Sequence, residues 1–372
     1  MTDRERLLTV IDHQPVDRVP ISPFIHANFV KAFYKSQDAD MIQGTVDIYR
    51  EFGFDLIHRN CFVAYDEIGV PGNDWDPQKE SIAQRNGNDT TTTIHTPKGD
   101  LQEVYRLIQV SEYDFESAPV EYLIKSERDF DLLMEYQPPV KELDVTPIIK
   151  ARKAVGDDGV VAPWIQGAFN FPAIHFRRLD DLVLDAMLNP AFFARMMEYC
   201  LQRNMAIISQ MISPGVDILS YGGNIASGKM FGESFFREHV YKYEKRLIDF
   251  IQGNGVHVLY HNCGYARNLF SCYRDLGMHM YESLTAPPYG DTLLNDAFSV
   301  IGSDVVLCGG IDQIDFLRNA SIEDIRSHTR DILELGKCHG NFILSTSDYF
   351  HEDTPFSSIS AMAFAGQEFG CY

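Results

Sequence analysis

Short apolar runs alternate with amphipathic helical patterns along this chain, and this alternation constrains the fold more than any other feature. Helical patterns at 189–212, 233–255, 266–276, 291–299 and 321–337 separate the later apolar runs. The predicted strands cover 18–24, 54–60, 160–169, 216–223, 256–261, 278–284, 305–312 and 342–346. Eight strands that alternate with helices favour an α/β fold of the (β/α)₈ TIM barrel type over an open sheet.

The segment from about residue 65 to residue 120 interrupts the alternation. Within it, TTTIHTPKGDLQEVYRLI (90–107) predicts a β-hairpin that turns at Pro97-Lys98-Gly99. YDEIGVPGNDWDPQKE (65–80) is rich in carboxylates but lacks the oxygen spacing of an EF-hand, so we interpret it as a solvated loop. We therefore predict a single barrel domain over residues 1–372, with an inserted lid or hairpin region at about 65–120.

The charge balance and the cysteine usage limit the partners of the chain. A formal net charge of −21 argues against nonspecific attraction to nucleic acid or to anionic membranes, which both need a basic face. The seven cysteines are odd in number and scattered, which suits a reducing compartment. No apolar stretch reaches the roughly 20 residues of a transmembrane helix, and the N-terminus is too charged for a signal peptide. We expect a cytoplasmic protein.

VHVLYHNCGY (256–265) contains the most suggestive pair of side chains. Residues two apart in a strand share a face, so His261 and Cys263 point the same way. They lie at the carboxyl end of the predicted strand, which opens on the active-site face of a barrel. Imidazole and thiolate are zinc ligands. The spacing alone leaves open the alternative that His261 is a hydrogen-bonded interior residue and that Cys263 simply packs.

Six blocks occur in a fixed order: RERLLTVIDHQPVDRVPI (4–21), EYLIKSERDFDLL (121–133), DILSYGGNIASGKMFGESFFREHVYKYEKRLIDFI (217–251), YHNCG (260–264), CGGID (308–312) and ILSTSDYFHEDTPFSSISAM (343–362). Together they resemble the uroporphyrinogen decarboxylase superfamily, and within it the zinc-dependent methyltransferases that work with corrinoid proteins. The resemblance extends over nearly the whole chain. It implies the same barrel, a bound Zn²⁺ and a corrinoid carried by a partner protein.

The resemblance also separates two activities. Decarboxylases of this superfamily carry an Arg-containing stretch, just after the DRVP segment, that pairs with the carboxylates of the porphyrinogen. SPFIHANFVKAFY (22–34) stands in that place and contains no Arg. A substrate rich in carboxylates needs such cations, so tetrapyrrole decarboxylation is disfavoured. A non-catalytic barrel that binds a corrinoid or its carrier is a further alternative.

In the methyltransferases that the chain resembles, the HxC pair supplies two zinc ligands and the end of the last strand supplies the third. Relatives carry Cys or His there, whereas counting back from the DTP triplet at 353–355 gives Asp348 in this chain. A carboxylate is an acceptable zinc ligand, but it leaves the metal softened by one thiolate only. A loop residue or a helix N-cap is the alternative for Asp348. Substitute ligands on the same predicted rim are Glu282, Cys308 and His351, and we expect Asp348 and Glu282 to act in catalysis.

Aromatic residues near the predicted rim suggest the substrate. Such walls suit a planar methoxylated ring, although barrel core is the alternative interpretation. Asn224 is able to donate to a substrate oxygen or simply to shape its turn. The predicted substrate-binding residues are Trp164, Phe171, Tyr221, Asn224 and Tyr349.

The predicted enzyme is the demethylating component of an O-demethylase. It moves a methyl group from a small methoxylated, preferably aromatic, donor to the Co(I) of its cognate corrinoid protein, with zinc as Lewis acid on the ether oxygen. Methanol, a methylamine or a thiol acceptor are alternative substrates. A homodimer is compatible with this prediction.

Overall fold

The computed structural model describes residues 1–63, 81–212 and 215–372, and within them the predicted alternation of strands and helices is present. The carboxylate-rich segment 65–80 lies outside the described residues, and its assignment as a loop stays a prediction. The chain divides into two units, one of residues 1–62, 145–165 and 211–372 and one of residues 63–144 and 166–210.

The bounds of the strands and helices are as follows. The strands are β1 Leu56–His58, β2 Ser81–Asn86, β3 Asp89–Thr96, β4 Gly99–Gln109, β5 Phe115–Glu121, β6 Gly159–Val161, β7 Trp164–Gln166, β8 Ile218–Gly222, β9 His257–His261, β10 Met280–Ser283, β11 Val306–Ile311 and β12 Phe342–Thr346. The α-helices are Asp3–Ile11, Ala27–Tyr34, Met41–Phe52, Glu127–Tyr136, Thr146–Val155, Asn170–His175, Leu179–Leu188, Pro190–Met211, Glu233–Phe235, Tyr241–Gly253, Phe270–Leu276, Leu294–Ile301, Phe316–Asn319, Ile322–His339 and Phe356–Phe369. A π-helical turn, Phe236–Val240, joins two of them, and Asn224–Ala226 and Arg267–Leu269 are 3₁₀ turns.

The larger unit contains a parallel sheet in the order β12-β11-β10-β9-β8-β7, together with the parallel pair β1-β6. The segment 18–24 joins them without forming a regular strand. The Leu344 N–H of β12 donates to the Pro20 carbonyl at 2.9 Å, and the Asp55 N–H before β1 donates to the Ile21 carbonyl at 2.8 Å. On the other side, Ser220 N–H of β8 donates to the Pro163 carbonyl at 3.0 Å. Backbone hydrogen bonds thus run around the predicted (β/α)₈ barrel, which the structure confirms.

The barrel interior is filled by apolar side chains from strands β1, β6 and β8 to β12. Because successive strand residues face opposite sides, one residue of each strand points inward at a given level. Helix Asp3–Ile11 contributes Leu7, Val10 and Ile11 to the same cluster. The strand residues in this cluster are Ile57, Val160, Ala162, Ile218, Leu259, Met280, Val306, Cys308 and Ile343, all buried.

The smaller unit contains the predicted hairpin. β3 and β4 pair antiparallel with Thr96 opposite Gly99, which confirms the turn at 97–99. The hairpin belongs to a four-stranded sheet in the order β2-β3-β4-β5, and the sequence patterns missed its two outer strands. In the same unit Phe130 packs against Phe192 at 5.7 Å between ring centroids. Among the described residues, no helix combines the length and the apolar character required to cross a membrane.

Candidate active site

Polar and aromatic side chains occupy the inward positions just beyond the apolar cluster of the barrel. Each follows a core residue by two positions and therefore faces the interior at the carboxyl end of its strand. This level contains Arg59, Trp164, His261 and Glu282, which follow Ile57, Ala162, Leu259 and Met280. A cavity of about 360 Å³ opens above them, lined by Phe24, His26, Arg59, Asn60, Phe62, Trp164, Asn224, His261, Cys263, Asp348 and Tyr349.

Three potential metal ligands converge in this cavity. One ligand atom each from His261, Cys263 and Asp348 lies within 4.8 Å of the other two. His261 Nε2 and Asp348 Oδ1 are 4.0 Å apart. One imidazole, one thiolate and one carboxylate form a donor set that suits Zn²⁺, with a coordination position left for substrate or water. The residues present therefore fit a zinc ion.

His261 is oriented by a hydrogen bond on its other nitrogen. Its Nδ1 lies 3.0 Å from Glu282 Oε1. An ionised carboxylate only accepts, so Nδ1 carries the proton and Nε2 presents its lone pair to the donor set. Burial opposes a charge on the ring, but the negative charges of Cys263 and Glu282 outweigh it and raise the pKa of His261 well above its ordinary value. This shift favours a second proton on Nε2, which a metal ion bound there would displace.

Glu282 is in turn held by a buried arginine. Arg59 Nη1 donates to Oε1 at 2.6 Å and Nη2 donates to Oε2 at 2.7 Å, so the pair is bidentate. The side chains of Arg59 and Glu282 are 2% and 4% exposed. Burial alone would raise the pKa of Glu282, but the Arg59 charge and the His261 hydrogen bond lower it to about 2. The Arg59 guanidinium also lies over the Phe24 ring, 4.3 Å from its centroid.

An unusual backbone path places Glu282 and Cys263. Ser283 and Leu284 adopt positive φ values of 101° and 51°, although neither is glycine. On the neighbouring strand β11, a Cβ on Gly309 would lie 2.4 Å from the Ser283 carbonyl oxygen. Thr285 Oγ1 donates to the Cys263 carbonyl at 3.1 Å. Strained backbone of this kind clusters at functional sites, where surrounding contacts hold it.

Asp348 lies just beyond β12, where the sequence predicts it. Its N–H donates to Gln313 Oε1 at 3.1 Å, and its own Oδ1 accepts from the Tyr349 N–H at 2.8 Å. The side chain is 23% exposed, so one edge of the carboxylate remains open to the cavity.

Aromatic rings form much of the remaining wall. Trp164 stacks on Phe24 with 5.9 Å between centroids and 11° between planes. Tyr349 meets Phe24 edge-on at 5.9 Å, and its ring lies 4.9 Å from that of His26. Trp164 also meets the His261 imidazole edge-on at 5.2 Å. A flat apolar ligand would therefore contact rings next to the donor set.

Other predicted site residues lie elsewhere. Tyr221 is buried, stacks on Tyr260 and donates its hydroxyl to Glu244, so it packs between the sheet and a helix and does not line the cavity. Phe171 belongs to the smaller unit, where its ring contacts His175 and Phe176. Cys308 packs in the apolar interior of the barrel. His351 does not belong to the group of three converging ligands among the described residues.

Sequence reasoning missed part of the cavity wall, above all Arg59. The available signal was an arginine two positions after an inward strand residue, at the carboxyl end of FDLIHRN. Phe24, His26, Asn60 and Phe62 were also missed. The Arg59–Glu282 pair joins residues 223 positions apart, so no local pattern indicates it.

Comparison with known proteins shows the family and the fold to which the chain is similar. A sequence profile described as "Uroporphyrinogen decarboxylase (URO-D)" matches residues 124–369. The chain is similar to the methylcobamide:CoM methyltransferase MtbA of Methanosarcina mazei, with 19% identity over 350 residues and 90% of each chain covered. It shares 21% identity over 350 residues with MtbA of Methanosarcina acetivorans, again with 90% coverage of each. A solved methyltransferase from Methanosarcina mazei has the same fold, with a TM-score of 0.70, 99% of each chain covered and 15% identity.

Proposed function

The chain belongs to the uroporphyrinogen decarboxylase family, and from this premise we propose that it is a zinc-dependent methyltransferase that works with a corrinoid protein. The observation that carries the proposal is the convergence of His261, Cys263 and Asp348 within 4.8 Å at the mouth of the barrel. The names of the relatives support the reaction class, because both are methylcobamide:CoM methyltransferases.

The charge of the cavity favours methyl transfer over decarboxylation within this family. Arg59 is the only Lys or Arg among the described residues that line the cavity, and both of its terminal nitrogens are bound to Glu282. A porphyrinogen carries several carboxylates that need cationic partners. This wall offers aromatic rings and a carboxylate instead.

His261 Nε2, the Cys263 thiolate and one oxygen of Asp348 are the groups that would hold the zinc ion. A bound zinc ion supplies Lewis acidity at the heteroatom that carries the methyl group. The chain itself orients the ligands, since Glu282 fixes the tautomer of His261. The aromatic wall displaces water from one face of the donor set and thereby strengthens its electrostatics.

A methyl aryl ether is the donor that we propose. Trp164, Phe24 and Tyr349 provide flat and edge-on contacts for a ring of that size. The bond between the ether oxygen and the methyl carbon breaks, and the carbon forms a bond to Co(I), which supplies the electron pair. The aryl oxygen keeps the electron pair of the broken bond and takes up a proton from water. The hydroxyarene leaves, and the corrinoid is methylated.

The direct test is methylation of cobalamin. The zinc-loaded protein is incubated with cobalt(I) cobalamin and, separately, with methoxylated aromatics, methanol or methylamines, and methylcobalamin is followed by its absorbance. We expect methylcobalamin from the methoxylated aromatics. Methylcobalamin formed only from a non-aromatic donor would refute the aryl ether assignment while leaving methyl transfer intact.

Cysteine variants provide the matched comparison. Cys263→Ser should abolish the reaction, because serine is a poor zinc ligand at neutral pH. Cys338→Ser removes an exposed cysteine from helix Ile322–His339 and should leave the rate unchanged. Equal rates in wild type and Cys263→Ser would exclude the proposed metal centre.

A thiol acceptor is the second candidate, and the names of the two curated relatives favour it. In that direction the methyl group moves from methylcobamide to a thiol, and a zinc ion held by the same three residues would favour the thiolate form of that thiol. The two candidates separate when methylcobalamin is offered with a small thiol. Rapid loss of methylcobalamin with thiol, and none of its formation from ethers, would assign the thiol reaction.

A further inference from the structure

We infer that Arg59 is a positioning residue for the metal centre, and that it acts on His261 through Glu282. The inference rests on the proposed function, because it assumes that His261 is a zinc ligand. It concerns a side chain that touches no proposed ligand directly and that lies on a different strand end, just after β1.

The contacts form one chain of hydrogen bonds. The two Nη atoms of Arg59 reach the two oxygens of Glu282 at 2.6 and 2.7 Å, and Oε1 of Glu282 reaches His261 Nδ1 at 3.0 Å. Glu282 and His261 also stand opposite each other in the β9-β10 ladder. The connection thus runs across three strands at one level of the barrel.

Stability alone does not explain a buried pair of this kind. Removing two charges from water costs about as much as their attraction returns, and apolar residues of the same volume are often equally stable. At 2% and 4% exposure, Arg59 and Glu282 pay nearly the full desolvation cost. The pair is instead suited to hold geometry, because a planar guanidinium fork fixes the plane of the carboxylate it binds.

A fixed carboxylate plane has a consequence for His261. With both Glu282 oxygens engaged by Arg59, Oε1 is held in line with Nδ1 and restrains rotation of the ring about the Cβ–Cγ bond. The proton is then kept on Nδ1, and Nε2 stays directed at Cys263 and Asp348. Without Arg59, Glu282 gains rotational freedom, and the longer contact of Ser283 Oγ with Nδ1, at 3.3 Å, is left to direct the ring.

Zinc affinity is the readout that a merely structural role would not move. The dissociation constant is measured by competition with a chromophoric chelator on metal-stripped full-length protein. We expect Arg59→Met to raise it by roughly 10- to 100-fold, the usual loss when an outer-shell partner is removed. Arg59→Lys keeps the charge but lacks the fork, and it should still weaken zinc binding several-fold. The visible spectrum of the cobalt(II)-substituted protein should change in both variants, because it reports ligand geometry.

A double-variant cycle tests whether the effect passes through Glu282. Glu282→Gln alone should weaken zinc binding, and Arg59→Met added to it should cause no further loss. Independent, multiplying losses would overturn the inference, because they would mean that Arg59 does not act through Glu282.

Arg18 offers a matched control, because its partner Asp55 lies just before β1, at the opposite end of that strand from Arg59. Its guanidinium also binds a fully buried carboxylate in bidentate fashion, Asp55, at 2.7 and 3.1 Å. Arg18→Met should lower thermal stability and leave zinc affinity unchanged. If wild type binds no zinc, the proposed function fails. If wild type binds zinc and Arg59→Lys binds it equally well with an unchanged cobalt spectrum, only the inference about Arg59 fails, and this holds even if Arg59→Met does not fold.

Discussion

Asp348 determines the character of the proposed metal centre at the scale of single residues. The zinc-dependent methyltransferases that the chain resembles carry Cys or His at this place. Each thiolate ligand that is replaced by a carboxylate makes the zinc ion a harder Lewis acid. A harder ion suits an ether oxygen better than a sulfur. Asp348→Ala removes one of the three proposed ligands. It should weaken zinc binding by at least about 100-fold, more than the removal of a group that only contacts a ligand. Zinc content by atomic absorption, after dialysis against a weak chelator, measures it.

Two further variants sharpen this prediction. Asp348→Cys should retain zinc but slow any ether demethylation, because a second thiolate lowers the Lewis acidity of the ion. Asp331→Ala removes an exposed carboxylate from helix Ile322–His339 and should change neither property. Full zinc content in Asp348→Ala would mean that Asp348 is not a ligand.

At the scale of elements, strand β11 approaches β10 so closely at Gly309 that this position should not tolerate a larger side chain. Its φ is +145°, and an added Cβ would lie 2.4 Å from the Ser283 carbonyl oxygen, next to Glu282. Gly309→Ala should therefore lower the free energy of unfolding by about 1–3 kcal/mol and also weaken zinc binding. Urea unfolding and the chelator competition measure the two effects separately.

Gly253 provides the control for this substitution. It ends helix Tyr241–Gly253, and an added Cβ would meet no atom within 4 Å. Gly253→Ala should leave zinc binding unchanged and hold or slightly raise stability, because alanine favours the helix. A Gly309→Ala protein as stable as wild type would show that β10 and β11 adjust freely.

His279 should make the stability of the protein depend on pH. It lies at the amino-terminal ends of β9 and β10, away from the candidate metal centre. Burial, together with the charges of His257 and His13, lowers the pKa of His279 to about 4. Its Nδ1 accepts from the Val258 N–H at 3.3 Å and therefore needs the neutral ring. Between pH 6.5 and 4 the unfolded chain binds a proton at this residue and the folded chain does not. Stability is therefore fully present above pH 6.5 and falls as the pH decreases through this window.

His279→Gln should flatten this part of the profile. Thermal unfolding is followed at pH 5 and pH 7.5 in the presence of EDTA, so that zinc release in acid makes no contribution. The difference between the two pH values should be smaller in His279→Gln than in wild type. His95→Gln, on the exposed hairpin of the smaller unit, should keep the wild-type difference. An unchanged profile in His279→Gln would remove His279 as the cause.

The sequence was most informative where a local period sets the structure. VHVLYH predicts strand β9, and its period of two puts His261 on the same face as Leu259, which the structure places in the barrel core. The sequence predicts a strand at 18–24, yet this segment forms only isolated bridges, at Arg18 and Ile21. Pro20 and Pro23 lack the N–H that a regular ladder needs. Pro163 similarly separates β6 from β7 within the single predicted strand at 160–169.

The residues of the candidate site likewise fall into those that the sequence predicts and those that it does not. His261, Cys263 and Asp348 were predicted as a group because strand ends converge in a barrel, and the structure brings their ligand atoms together. The assignment of a metal to them stays a proposal. Arg59 and the wall residue Phe24 could not be predicted, because their roles depend on partners from distant strands and on side-chain direction at one level of the barrel.

At the scale of the whole molecule, the negative charge of the protein should disfavour methyl donors that carry a carboxylate. The chain has a net charge of −21, and the only Lys or Arg on the described cavity wall is neutralised by Glu282. A carboxylate on the far side of the donor ring from the ether would lose water without gaining a Lys or Arg partner from the described wall. We therefore expect 2-methoxyphenol to bind at least about tenfold more tightly than 4-hydroxy-3-methoxybenzoate. Trp164 fluorescence reports binding in a Trp75→Phe background, because the chain has two Trp residues.

His26→Arg turns this expectation into a reversal of preference. His26 lines the cavity beside Tyr349, so an arginine there offers a charge-assisted hydrogen bond worth about tenfold to the acid, and little to the neutral phenol. Leu335→Arg adds the same charge on helix Ile322–His339, away from the cavity lining, and should alter neither affinity. If both arginine variants improved acid binding equally, the selection would come from long-range repulsion, and 0.5 M salt would then abolish it in wild type. If instead the acid and the phenol bound equally well to wild type at low salt, charge would play no part in the choice of donor.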